Sequence, residues 1–349
     1  KETLENPDIK KCGQNLKYDS LILIRHGISL RGIDFDSMIA EHILHPEKNS
    51  YKLDNLSIEY FGYEMQPIED LIGRGKDQIS MAQVPVEKVS FYASEDADIA
   101  FQLSKKLKPL ISKNNLDKPY YNIELPLIPV LVDMENSGVF VDDTILAGLS
   151  KEVDKKIADL EKEIFSISKN EFNLNSPQQL AVVLFDELEL KQIKKRSTSI
   201  EVLETLKFHH PLPELVLKYR HLSKLSSTYI KALPGHINKR TGRVHTSFNL
   251  AGTVTGRLSS SDPNLQNIPV KTEQGRRVRR SFVAQSGSEW KLLSADYSQI
   301  ELRVLAHLSQ DVGLLEAFHR DEDIHTTTAS STYGVPLNAV TPEMRRIAK

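Results

Sequence analysis

Cysteine is almost absent. A single residue, Cys12, in a chain of 349 rules out an internal disulfide and any zinc site built from several thiolates, as suits a reducing, cytoplasmic setting. Long apolar runs are missing too: nothing approaches the ~18 residues a membrane-spanning helix needs, so no membrane partner is expected. The opening residues, KETLENPDIKK, have no apolar stretch of the kind that marks a secretory signal. Neither an internal repeat nor a low-complexity tract occurs. Charge of one sign is not in excess either. Lys and Arg number 45 against 47 Asp and Glu, so composition does not announce a nucleic-acid partner. What is present is a globular composition, 40% hydrophobic and 26% charged, long enough for two ordinary domains.

The distribution of charge says more than its sum. Lys191, Lys194, Lys195 and Arg196 cluster without an acid. Lys271, Arg276, Arg277, Arg279 and Arg280 stand against Glu273 alone, and Arg345, Arg346 and Lys349 close the sequence. Such patches can track phosphates even when acids elsewhere cancel the total; each can equally be a solvated surface.

Short apolar runs at 21–24 and 28–33 fit strand pieces, the first fitting a helix equally well. Val89, Tyr92, Ile99 and Leu103 recur at helical spacing and predict a helix over 86–108. The polar, proline-bearing stretch 111–122 is the candidate linker. Ile145, Leu149, Val153, Ile157, Leu160, Ile164 and Ile167 predict a long amphipathic helix over 143–168. Ser176-Pro177-Gln178-Gln179 is a helix start, with a capping serine and a proline in the first turn. Leu215, Tyr219, Leu222, Leu225, Tyr229 and Leu233 form a further stripe. The basic loop 191–198 falls between helices of this helical part. Residues 241–295 look rich in strands and turns, and 300–349 look helical.

The stretch KLLSADYSQIELRVLAHLSQD, 291–311, is the most informative. Residues 291–295 read as a short buried strand with Asp296 at its end. A helical run follows, with Ile300, Leu302, Val304, Leu305 and Leu308 available for burial. A carboxylate at a strand's end can hold a divalent cation against a phosphate. Ser298-Gln299-Ile300-Glu301 fits a capping box in which Glu301 reaches back to the backbone at Ser298. Upstream, TGRLSSSDPNLQNIP (255–269) is a turn-rich loop whose amides and arginine can read base edges and sugars without demanding one sequence. Arg345 and Lys349, four apart, share a helix face on which two cations can grip a triphosphate. Near the other end, Tyr92 and Asp96 share a helix face in YASEDAD, and Asp36 stands in Phe35-Asp36-Ser37-Met38.

These segments resemble the family A DNA polymerases, and residues 1–117 resemble a DnaQ-like 3′–5′ exonuclease domain. The resemblance runs the length of the chain. It implies an α/β (α+β) protein: an RNase H-like/DnaQ-like exonuclease domain over 1–117, lacking its first motif, then a partial right-hand polymerase over 118–349. Thumb (about 138–240), part of the palm sheet (about 241–310) and the start of the fingers (about 311–349) are expected. Asp296 and the Tyr297 backbone carbonyl are implied as ligands of two Mg2+ ions. Glu301 is implied as a gate against ribonucleotides, a reading that stays open beside the capping box. Arg345, Lys349, His325 and Gln299 are implied to bind the incoming dNTP. Arg257, Asn264, Gln266 and Asn267 are implied in the minor groove of primer-template DNA, and Lys191, Lys194 and Lys195 at the thumb tip. Asp36 and Asp96 are implied to hold divalent metals of the exonuclease, with Tyr92 orienting the attacking water.

A bacterial, nucleoid-associated monomer acting in replication and repair is the expected whole. The family's second carboxylate, in a downstream His-Asp motif, and the exonuclease's Asp-x-Glu opening strand have no counterpart. This chain alone is therefore expected to be inactive. Two alternatives remain open, a non-catalytic DNA-binding module and an exonuclease fused to an inert helical domain. A gate at Glu301 argues against an RNA polymerase.

Overall fold

Helical periodicity dominates the sequence, and helices dominate the structure, a computed structural model that describes residues 1–270, 272–285 and 289–348. It divides into two units, Lys1–Trp290 and Lys291–Lys349. In the first, strand β1 (Lys11–Gly13) lies parallel to β2 (Ile33–Asp36), and helix α1 (Leu16–Arg25) joins them. Helices α2 (Ser37–Leu44), α3 (Leu53–Phe61) and α4 (Val86–Lys113) follow. Ile99, Leu103, Leu107 and Ile111 recur every fourth residue and are buried, so α4 lays one stripe against β1, α2 and α3. Leu125–Ser137 forms α5, which packs on α1.

The candidate linker 111–122 is not a linker. Ile111 and Tyr120 are wholly buried in the core built on Phe35, Ile39, Leu103 and Leu107, and the chain is helical through most of the stretch. The Tyr120 ring packs 5.2 Å from that of Phe35. Its hydroxyl accepts the Asp36 N–H at 2.8 Å and donates to the Asp36 carbonyl at 3.0 Å. The polar residues that suggested a linker lie on the solvent side of that helical path. Residues 21–24, open between strand and helix, lie within α1.

Strand β3 (Val139–Val141) leads into α6 (Asp143–Ser168), whose bounds match the predicted helix; the Asp142 carboxylate caps it by accepting from Thr144 N and Ile145 N. Ser176 caps α7 (Pro177–Val182), and α8 (Ile200–Leu206) and α9 (Pro211–Leu225) complete a helical layer around Leu180, Leu184, Leu203 and Val216. Next come β4 (Arg243–Val244), a hairpin of β5 (Ser247–Asn249) and β6 (Ser259–Ser261), helix α10 (Glu273–Arg280) and β7 (Phe282–Val283). β3 is the centre of an antiparallel sheet between β4 and β7.

The second unit holds α11 (Ile300–Ser309), α12 (Val312–His319), α13 (Ile324–Tyr333) and α14 (Pro342–Ala348), as the helical pattern predicts. The predicted buried strand at 291–295 does not form. Those residues are exposed, Leu293 at 92%, and no described strand pairs with them. A strand is held by its neighbour's hydrogen bonds, and an apolar run without a neighbour has none to make. Of α11, Ala306 is buried, whereas Ile300, Val304, Leu305 and Leu308 face solvent. No helix among the described residues is long and apolar enough to cross a membrane.

Candidate functional site

The first unit contains an acidic cleft of about 1170 Å³. Asn15, Tyr18 and Asp19, from the start of α1, line it with Asp54 at the start of α3 and Tyr92 and Asp96 on α4; the hairpin residues Asn249–Gly252 also line it. Asn15 takes a left-handed backbone, φ 57°, to begin α1. That conformation suits asparagine, and the turn it begins lines the cleft. Tyr92 and Asp96 lie one turn apart on α4, as their spacing predicts.

Burial and like charge define the electrostatics here. The Asp96 carboxyl is pushed up to about 6, first by burial and then by the Asp54 charge. The Tyr92 phenol is pushed up to about 12 by burial and by the charges of Asp96 and Asp54. Asp19 keeps one side toward solvent, yet the protein around it raises its pKa as well. A cavity lined by the three acids Asp19, Asp54 and Asp96 favours a cation among them. Yet nowhere among the described residues do three Asp, Glu, His or Cys side chains converge closely enough to hold a metal ion.

Asp36, expected as a metal ligand, is not in this cleft. It is wholly buried, and its carboxylate accepts four backbone N–H groups: Leu16 at 2.7 Å, Met38 at 3.0 Å, and Asn15 and Ile39 at 3.2 Å. Burial still outweighs those donors and raises its pKa to about 6. Asp36 thus caps α2 and pins the start of α1, with both oxygens occupied. The cleft is instead lined, together with Asp54 and Asp96, by Asp19, which sequence reasoning passed over. Its signal was present: an asparagine and an aspartate four apart at the start of an amphipathic helix.

A second surface in the same unit carries the expected DNA contacts. The β5–β6 hairpin and the loop after it present Arg257, Gln266 and Asn267 to solvent. Asn264 Oδ1 accepts from Gln266 N (3.1 Å) and Asn267 N (3.2 Å), while Gln266 Nε2 donates to the Leu258 carbonyl (2.9 Å). These bonds fix the loop and leave the Asn267 amide outward. Lys191, Lys194 and Lys195 are exposed between α7 and α8 and make no ion pair with described residues. Arg196, next to them, is spent on Asp186 through two bonds of 2.6 and 2.7 Å. Arg277 on α10 pairs with Glu152 of α6 at 2.5 Å, while Arg279 and Arg280 face solvent; Lys271 lies outside the described residues.

In the second unit, Asp296 is exposed in a segment without regular secondary structure and makes no hydrogen bond or ion pair with described residues. The Tyr297 side chain is exposed beside it. The expected capping box is not formed. Gln299, with φ 52°, is the residue before α11, and no side chain caps the helix. Arg303 Nε instead donates to the Ser298 carbonyl at 3.0 Å. Glu301 lies in the first turn of α11. Arg345, expected on a triphosphate, pairs with Asp323 at 2.6 Å. Its guanidinium holds the Asp323 carboxyl down at about 2, and Asp323 caps α13, whose first turn carries His325. An incoming phosphate would have to displace Asp323 from Arg345. Lys349 lies outside the described residues.

Comparison with known proteins gives these arrangements a context. Residues 143–349 match the family described as DNA polymerase family A, and residues 1–112 match a 3′–5′ exonuclease family. DNA polymerase I of Pseudomonas aeruginosa is 43% identical over all of this chain, which covers 39% of that protein. DNA polymerase I of Chloroflexus aurantiacus is 46% identical over 99% of this chain and 37% of its own length. The thermostable DNA polymerase I of Thermus aquaticus is 56% identical over 66% of this chain and 28% of its own. The chain thus spans well under half the length of these curated relatives. Among solved structures, the POL domain of Pol1 from M. smegmatis, in complex with DNA primer-template and dNTP, matches 99% of this chain and 57% of its own. The TM-score is 0.85 at 34% identity.

Proposed function

Because this chain belongs to DNA polymerase family A, with a 3′–5′ exonuclease domain ahead of its polymerase part, we propose that it is part of an enzyme that adds dNTPs to a primer 3′-hydroxyl and proofreads the product. The observation that carries this is the match of nearly the whole chain to a polymerase holding primer-template DNA and dNTP. Lys191, Lys194 and Lys195, exposed between α7 and α8, track the duplex backbone. Arg257, Asn264, Gln266 and Asn267 touch its minor groove, where polar contacts are tolerant of sequence. His325, Gln299, Arg345 and Lys349 receive the triphosphate. Glu301 occupies the space that a ribose 2′-hydroxyl would need. The protein acts as a cytoplasmic, nucleoid-associated monomer.

Divalent metals, the Mg2+ of such phosphoryl transfer, polarise phosphate oxygens and lower the pKa of the attacking group. The open carboxylate of Asp296 and the Tyr297 carbonyl are suited to one part of such a site, and Asp19 and Asp96 to part of another. Two-ion chemistry needs more ligands than either place offers, since no three ligand side chains converge among the described residues. A mixture of residues 1–349 with primer-template, dNTPs and Mg2+ is therefore expected to show DNA binding without extension of a labelled primer. Extension on a denaturing gel would overturn this. Binding without extension would make a DNA-binding module the operational description of the isolated chain.

Binding should weaken steeply with salt, because each neutralised phosphate releases counterions. Changing Lys191, Lys194 and Lys195 together to Gln is expected to flatten the slope of log K against log salt by about 2–3. Fluorescence anisotropy titrations across a salt series measure it. An unchanged slope would remove this loop from the DNA-binding surface.

A further inference from the structure

A buried ion pair ties the two walls of the acidic cleft together. Lys17 Nζ lies 2.5 Å from Glu135 Oε1, with side chains 7% and 5% exposed. Lys17 stands in the first turn of α1 between Asn15 and Asp19, so holding its ammonium holds the turn that presents both. Glu135, near the end of α5, also accepts the Phe248 N–H at 2.7 Å, and Lys17 donates to Ser247 Oγ at 3.3 Å. Ser247 and Phe248 open β5, which runs directly into the opposite wall, Asn249–Gly252. One further bond, from the His245 ring Nδ1 to the Glu135 carbonyl at 2.7 Å, ties the same part of α5 to the approach to β5.

Charge is an expensive way to fill such a space, since an apolar pair of like volume usually packs at least as stably. What the charged pair supplies is direction. Its bonds to β5 admit one placement of the hairpin against α1, where an apolar contact would tolerate sliding. The hairpin is also the element proposed to lie against duplex DNA. We infer that Lys17 and Glu135 are positioning residues: they set the opening between the start of α1 and the hairpin, and so govern how an unpaired primer 3′ end leaves the duplex surface for the cleft. This rests on the proofreading function proposed above, with the cleft as the place that receives the DNA 3′ end.

The test uses residues 1–349 and two primer-templates, one fully paired and one with a few mismatched nucleotides at the primer end, each with 2-aminopurine at the 3′ terminus. The unaltered chain is expected to bind the mismatched end about 5-fold more tightly than the paired one, a coupling of ordinary size. Ser247→Ala removes one of the two hairpin bonds and leaves the ion pair covered, and Lys17→Met/Glu135→Leu removes both. The first should bring the ratio part of the way to one, with Ser247→Thr restoring it, and the second should bring it to about one and return the 2-aminopurine signal of the mismatched end toward that of free DNA. A merely structural role would shift both DNAs together and leave the ratio alone. Such a ratio, unchanged in variants that melt like the unaltered chain, overturns the inference. Equal binding of the two DNAs by the unaltered chain overturns it too, with the functional reading intact. Failure to bind either DNA overturns that reading along with the inference.

Discussion

Replacing Asp36 with alanine should lower the stability of the Lys1–Trp290 unit by about 3–5 kcal/mol, read as a shift of the urea midpoint at constant slope. Losing a helix N-cap costs about 0.5–2 kcal/mol. Two of the four stranded donors, Leu16 N and Ile39 N, are buried, and each unsatisfied buried group adds about 1–3 kcal/mol. Asp36→Asn should lose less, since its carbonyl keeps one set of donors while its amide faces the other. The penalty for Asp36→Asn carries a pH signature. The folded pKa of about 6 exceeds the ordinary 3.8, so Asp36 takes up a proton on folding. Its contribution is then fully present below about pH 4 and fades as pH rises through about 6. About two pKa units at 1.36 kcal/mol each make that difference about 3 kcal/mol at most. The gap between the unaltered chain and Asp36→Asn should therefore be widest near pH 4 and narrow toward pH 7. By contrast, Asp96→Asn relieves like charge in the cleft and should leave stability unchanged or slightly raised. Equal, small effects at both positions would return Asp36 to the cleft as a candidate metal ligand.

Lys17→Met alone should be as damaging, at about 3–5 kcal/mol, because it leaves Glu135 charged and buried without its partner. Glu135→Leu alone strands Lys17 in the same way. The double variant should lose only about 1–2 kcal/mol, chiefly the Phe248 N–H that loses its acceptor. Denaturant unfolding of the four chains closes a double-mutant cycle. Additive single losses would mean that the two side chains are not held as one pair.

The features that were legible in sequence are those written locally. The stripe over 143–168 gave its helix to the residue, because seven apolar positions agree with no competing signal, and the Asp142 cap found in the structure starts it at the same place. The Ser176 start and the Tyr92–Asp96 pairing are local in the same sense. Asp36 was misread because Phe35-Asp36-Ser37 looks alike whether its carboxylate faces a cleft or turns inward to cap a helix. Only the packing of α1 against α2 decides. Asp19 was missed for the complementary reason: an acid in a helix's first turn is commonplace until Asp54 and Asp96 are folded into the same cleft. Residues 291–295 carry strand-forming side chains, but a strand also needs a neighbour. The polar stretch 111–122 hid Tyr120, whose place in the core depends on a partner more than eighty residues earlier.

That partner has a consequence for self-association. A sheet margin with open amides and carbonyls is a template on which foreign chains can add. At Asp36 both main-chain groups are already taken by one phenol. A strand arriving along β2 would find its last rung stoppered, so Tyr120 acts there as a plug against edge-to-edge growth of the sheet.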